Sequence, residues 1–81
     1  MGDPRLKAVA FNSMIRYKQY HIQRVEHGHG RWTARITRAD GQNVRTILPA
    51  SEHTYLDTKP TMSAEEAEEF AKEGIDFGGI V

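Results

Sequence analysis

The spacing of apolar side chains changes period once along this chain, and that change limits the fold more than anything else. Tyr20 and Ile22 alternate with His21 and Gln23. Trp32, Ala34 and Ile36 alternate with Arg31, Thr33, Arg35 and Thr37. Val44, Thr46 and Leu48 alternate with Arg45 and Ile47. A period of two describes strands with one apolar side. Ile15 and Tyr17 have the opposite parity to Tyr20 and Ile22, so the Lys18-Gln19 step reads as a bend, a bulge or a tight turn. After Ser63 the period becomes helical, at Ala67, Phe70, Ala71, Gly74 and Ile75. Ser63-Ala64-Glu65-Glu66 has the form of a capping box, in which the serine hydroxyl accepts from the fourth residue's amide and that residue's carboxylate reaches back. Glu65, Glu66, Glu68 and Glu69 place acid near the positive end of the helix dipole. Gly74 is expected to end the helix or weaken its last turn, with Ile75 and Phe77 tucked under the sheet.

The turns suggest a register. Gly41 suits the left-handed position of a three-residue hairpin loop, Ala39-Asp40-Gly41. That loop sets Ile36 opposite Val44, Ala34 opposite Thr46 and Trp32 opposite Leu48. A five-residue loop over 26–30 sets Tyr20 opposite Ile36, Ile22 opposite Ala34 and Arg24 opposite Trp32, with the arginine stem over the indole. The expected fold is α+β: a three-stranded antiparallel meander, with a short fourth strand at Tyr55 and Leu56, and one C-terminal helix on its apolar face. The single domain spans 14–77. Residues 1–13 read as a disordered tail, with a docked N-terminal turn as the alternative, and 78–81 as a flexible tail. The expected core is Tyr20, Ile22, Trp32, Ala34, Ile36, Val44, Leu48, Leu56, Phe70, Ala71 and Ile75.

Composition removes several function classes. The 81 residues include no cysteine, which excludes disulfide scaffolds, cysteine-ligated metals and cysteine nucleophiles. No apolar run approaches the ~20 residues of a membrane span, and no apolar leader is read at the N-terminus. The formal charge is zero, with 11 basic and 11 acidic residues. Residues 1–49 hold nine Lys and Arg against three acids, a net of +6, and residues 50–81 hold two against eight, a net of −6. Strands and helix are therefore expected to form a basic front and an acidic back.

Under the expected register His21, Arg35 and Arg45 share a row on the open sheet face, and Arg31 lies further along it. Arg35 opposite Arg45 is unfavourable unless an anion or splaying relieves it. His21, Arg31, Arg35 and Arg45 are therefore the candidate anion or nucleic-acid face, although no aromatic stacking platform interrupts them. His27 and His29 flank a glycine and are the candidate metal ligands, short of a third donor. No catalytic constellation stands out: Ser13, Ser51 and Ser63 fall on a tail, a loop and a cap. No cofactor motif is present.

The segments Tyr17-Lys18-Gln19-Tyr20-His21-Ile22, Gly30-Arg31-Trp32, Arg38-Ala39-Asp40-Gly41 and Ser63 through Asp76 resemble small uncharacterised bacterial proteins of β-β-β-α order. These open a strand with Tyr-Lys-x-aromatic-x-Ile and close on one helix ending in Ile-Asp. Gln19 stands where they often have glycine. The resemblance implies a fold and a bacterial, cytoplasmic setting, and brings no active residues. The combined expectation is a non-enzymatic binding or interaction domain without cofactor or membrane association. Its partner is an unknown protein, or a second copy through the open sheet face. The alternative is a nucleic-acid-binding accessory protein.

Overall fold

A computed structural model describes residues 14–81, so the expectations for 1–13 lie outside the described residues. The strands are β1 (Met14–Tyr17), β2 (Tyr20–Glu26), β3 (Trp32–Arg38), β4 (Val44–Ile47), β5 (Ala50–His53) and β6 (Leu56–Asp57). One helix, α1 (Ala64–Asp76), follows. The α+β class and the helix packed on an antiparallel sheet agree with the sequence reading. The strand order does not. A four-stranded sheet runs β1-β2-β3-β6, and β4 and β5 form a separate hairpin.

The Lys18-Gln19 step is a tight turn joining β1 to β2, with Lys18 at a φ of +55°. Met14 and Arg16 therefore lie on the same sheet face as Gln23 and His21, and Ile15 lies beside Ile22. Between β2 and β3 the pairing is two residues away from the expected one: Ile22 faces Ile36, Arg24 faces Ala34, and Glu26 faces Trp32. A two-residue slip keeps every side chain on its own face, so the apolar face survives the error. The loop closes from the His27 amide to the Arg31 carbonyl at 2.7 Å, not from residue 26.

The third expected strand is the larger correction. The 39–41 turn forms, with Gly41 at a φ of +83° and its amide bonded to the Arg38 carbonyl at 3.2 Å. The chain then leaves the sheet. The free edge of β3 is filled by residues 56–61: Leu56 pairs with Ile36 and Asp57 with Arg35. Thr58 and Ala34 exchange bonds at 3.0 and 2.9 Å, and Thr61 and Trp32 at 2.7 and 2.9 Å. That edge satisfies the backbone of β3 and sets aspartate, rather than arginine, beside Arg35.

β4 finds other partners. Val44 faces His53, Arg45 faces Glu52, Thr46 faces Ser51, and Ile47 faces Ala50. Leu48 and Pro49 form the two-residue turn, joined by a cis peptide bond. On its other edge β4 meets the chain's last residues. Arg45 and Val81 exchange backbone bonds at 2.9 and 2.7 Å, and the Ile47 amide reaches the Gly79 carbonyl at 3.2 Å. Residues 78–81, expected as a flexible tail, thus add a short antiparallel segment to the hairpin.

The core lies between the sheet and α1: Tyr20, Ile22, Ala34, Ile36, Ala67, Ala71 and Ile75, bordered by Ile15, Tyr17, Trp32, Leu56 and Ile80. Three expected positions are corrected. Leu48 is in the hairpin turn and 92% exposed. Phe70 flanks the Ala64-Ala67-Ala71-Ile75 stripe that meets the sheet, and is exposed. Phe77 follows the helix and is exposed as well. Ser63 caps the helix, accepting from the Glu66 amide at 3.1 Å. Gly74 does not end the helix, which continues to Asp76. Its bare Cα admits Ile80: a Cβ there would lie 3.1 Å from Ile80 Cδ1. No helix among the described residues is long and apolar enough to cross a membrane.

Candidate binding surfaces

The face of the four-stranded sheet turned away from α1 carries two mainly polar rows. Arg16, His21 and Thr37 form one; Met14, Gln23, Arg35 and Asp57 form the next. His21 and Arg35 are thus near neighbours. Arg45 is on the hairpin, and Arg31 ends the β2–β3 loop, so the four expected basic residues do not form one row. The expected clash of Arg35 with Arg45 does not arise. Arg35 instead donates from Nε and Nη2 to the two Asp57 oxygens at 2.9 and 3.0 Å. Its guanidinium also lies 4.1 Å from the centre of the Tyr55 ring.

The separation into a basic front and an acidic back is likewise corrected. Arg24 points to the helix side and bonds Glu68 at 2.8 Å, and Lys72 reaches the same carboxylate at 3.1 Å. Burial alone would raise the Glu68 carboxyl, but bonds from Arg24 and Lys72 outweigh it and leave it lowered. Lys18 Nζ lies 2.5 Å from Asp76, and the Tyr17 hydroxyl donates to both oxygens of that carboxylate at 3.0 and 2.8 Å. These bonds hold Asp76 below the ordinary aspartate range, the lysine having the larger effect. They also offset an acid at the unfavourable end of the helix dipole. Arg38 and Asp40 pair at 2.8 Å, and Asp40 is lowered to about 2, first by Arg38 and then by the Gln42 amide. Lys18 with Asp76, Arg24 with Glu68 and Arg35 with Asp57 thus pair basic residues of the first half with acids of the second.

The histidine loop offers little for a metal. His27 Nε2 is hydrogen-bonded with Thr33 Oγ1 at 2.9 Å, and His29 is exposed. Among the described residues no three His, Cys, Asp or Glu side chains converge as a metal site. A second histidine contact escaped the sequence reading: Ser51 Oγ and His53 Nε2 are 2.7 Å apart along β5. The pair lies on an open strand, whereas a nucleophile and base act in a site that also orients the base and stabilises an oxyanion.

The surface the sequence reading missed is the outer face of the hairpin. Alternation along the strands puts Arg45 and Ile47 of β4 on one face with Glu52 and Ala50 of β5. An open hollow of about 660 Å³ lies here, lined by these four residues together with Thr46, Ser51 and Val81. The opposite face turns inward, where Val44 is fully buried and Ile80 packs on the core. Ile47 is 55% exposed, Leu48 92% and Val81 37%. The sequence held a signal for this: Ile47 breaks the alternation of its strand, and two apolar residues before Pro49 suit a turn as well as a strand end. No family model, curated protein or solved structure matches the chain.

Proposed function

We propose that this chain is a small non-enzymatic binding domain, and that it binds through the outer face of the β4–β5 hairpin. The observation that carries this reading is one open hollow lined by exposed Ile47 and Val81, next to the exposed turn residue Leu48. Single exposed apolar residues are ordinary, as at Met62 and Phe77 near the two ends of α1, but a contiguous patch rimmed by charge marks an interaction surface. The hairpin adds no residue to the buried cluster between sheet and helix, so its apolar outer face has no role in filling that core. The bacterial, cytoplasmic setting rests on the resemblance alone.

Photo-crosslinking tests the reading. A benzophenone amino acid placed at Leu48 is expected to give defined adducts in the cells that make the protein, while the same group at Glu69, on the exposed side of α1, is not. Absence of an adduct at position 48, or the same adducts from both positions, overturns it.

A second reading, a nucleic-acid-binding accessory protein, is favoured by one observation: Arg16 lies beside His21 on the sheet face away from the helix. It is the weaker reading, because Arg35 on that face is already bonded to Asp57. Salt-dependent retention on heparin that falls with Arg16→Ala would support it, and absence of retention at low salt would end it.

A further inference from the structure

We infer that the hairpin face binds a second copy of this chain, through a two-fold axis that runs along the strands between β4 and β5. The inference rests on the binding reading above and names the occupant.

Two features of the face fit one symmetry operation. Arg45 and Glu52 are register partners on the same face of neighbouring strands. A carboxylate so placed is an obvious mate for the guanidinium, yet no ion pair joins them among the described residues. Glu52 accepts instead from Asn43 Nδ2 at 3.1 Å. One row along, Ile47 and Ala50 are also register partners, one large and one small. A two-fold axis parallel to the strands and midway between them exchanges β4 with β5. It therefore lays Arg45 over the partner's Glu52 and Glu52 over the partner's Arg45. It also lays Ile47 over the partner's Ala50, in both directions. Charge and size become complementary under the same rotation, as an isologous interface requires. Two short strands per copy offer less than the ~1,200 Å² of a standard stable interface, so the dimer is weak and exchanges quickly.

The test uses the full purified chain in sedimentation velocity over a concentration series at low salt. The wild type is expected to move from monomer toward dimer with rising concentration, and back toward monomer as salt is added. Arg45→Glu and Glu52→Arg should each remain monomeric at the highest concentration. Both positions are exposed, and amide spectra check that each variant is folded. An equimolar mixture of the two variants should form a heterodimer, since one copy then presents two anions and the other two cations. A wild type that stays monomeric throughout, or single variants that dimerise as it does, overturns the self-pairing. If the Leu48 crosslinks then join the chain to a different protein, the binding surface stands and its assignment to a second copy falls.

Discussion

Arg35 and Asp57 face each other across β3 and β6 and share two parallel hydrogen bonds, at 2.9 and 3.0 Å. Both side chains are about two-thirds covered, at 31% and 29% exposure. The pair closes the edge of β3 that a like-charged arginine would have opened. A double-mutant cycle with Arg35→Ala and Asp57→Ala is expected to give a coupling of about 1 kcal/mol. The cycle with Arg35→Ala and Arg45→Ala should give none, because these residues belong to different sheets. Chemical denaturation measures both; a repulsive coupling in the second cycle would place β4 back beside β3.

The exposed turn and the buried strand should differ sharply under truncation. Ile22 is fully buried, and Ile22→Ala is expected to cost roughly 2–5 kcal/mol. Leu48→Ala should change stability by less than about 0.5 kcal/mol, as surface replacements usually do. Thermal or urea unfolding decides between this arrangement and one with Leu48 in the core.

The contrast shows how much of the fold the sequence made legible. Periodicity separated strands from helix, and the capping serine located the helix start, because both signals are local. It also gave the buried face of β2 and β3, since a two-residue slip does not change faces. What it missed depended on competition between distant segments for one strand edge. Val44 and Leu56 both alternate well enough to lie beside Ile36, and nothing local to either says which succeeds. The structure sets Asp57, not Arg45, beside Arg35, the pairing that like charges disfavour being the one avoided. The open basic row fell with that choice, and the hairpin face appeared only once β4 was paired with β5.

Gly74 and Ile80 give a conditional prediction. Alanine in a helix interior is favoured over glycine by about 1 kcal/mol. Here a Cβ would crowd Ile80 Cδ1 at 3.1 Å. Gly74→Ala should therefore stabilise the wild type by less than that amount, and the Ile80→Val background, which lacks Cδ1, by nearly all of it. Equal effects in both backgrounds would show that Ile80 does not occupy the space above Gly74.

Acid should act on the turn after β3 in a defined window. Asp40 titrates at about 2 in the folded chain, against an ordinary value of 3.8. A depressed carboxyl contributes stability that is fully present above its unfolded value and is lost as the pH falls through its folded value. The contribution of Asp40 should thus decline between about pH 4 and pH 2. Carboxyl NMR titration is expected to place its midpoint near the lower end, and Arg38→Ala should raise it. A midpoint unchanged by that substitution would show that Arg38 is not the cause.

Ser63 tests the helix start alone. Ser63→Ala removes the acceptor for the Glu66 amide and is expected to cost about 1 kcal/mol, while Ser63→Asp should retain most of the stability. Equal losses from both substitutions would mean that the cap bond contributes nothing.

The hydrogen bonds between β4 and residues 79–81 also bear on the order of folding. β1, β2 and β3 are joined by short loops and can pair early, at little entropic cost. The outer edge of β4 must wait for residues 79–81, which lie beyond α1 in the sequence, to return. Contacts so far apart in sequence form late, because the intervening loop has to close first. The amides of Arg45 and Ile47 therefore act as a clock for the last step. In a pulse-labelling experiment their protection should lag behind that of Ile22 and Ile36.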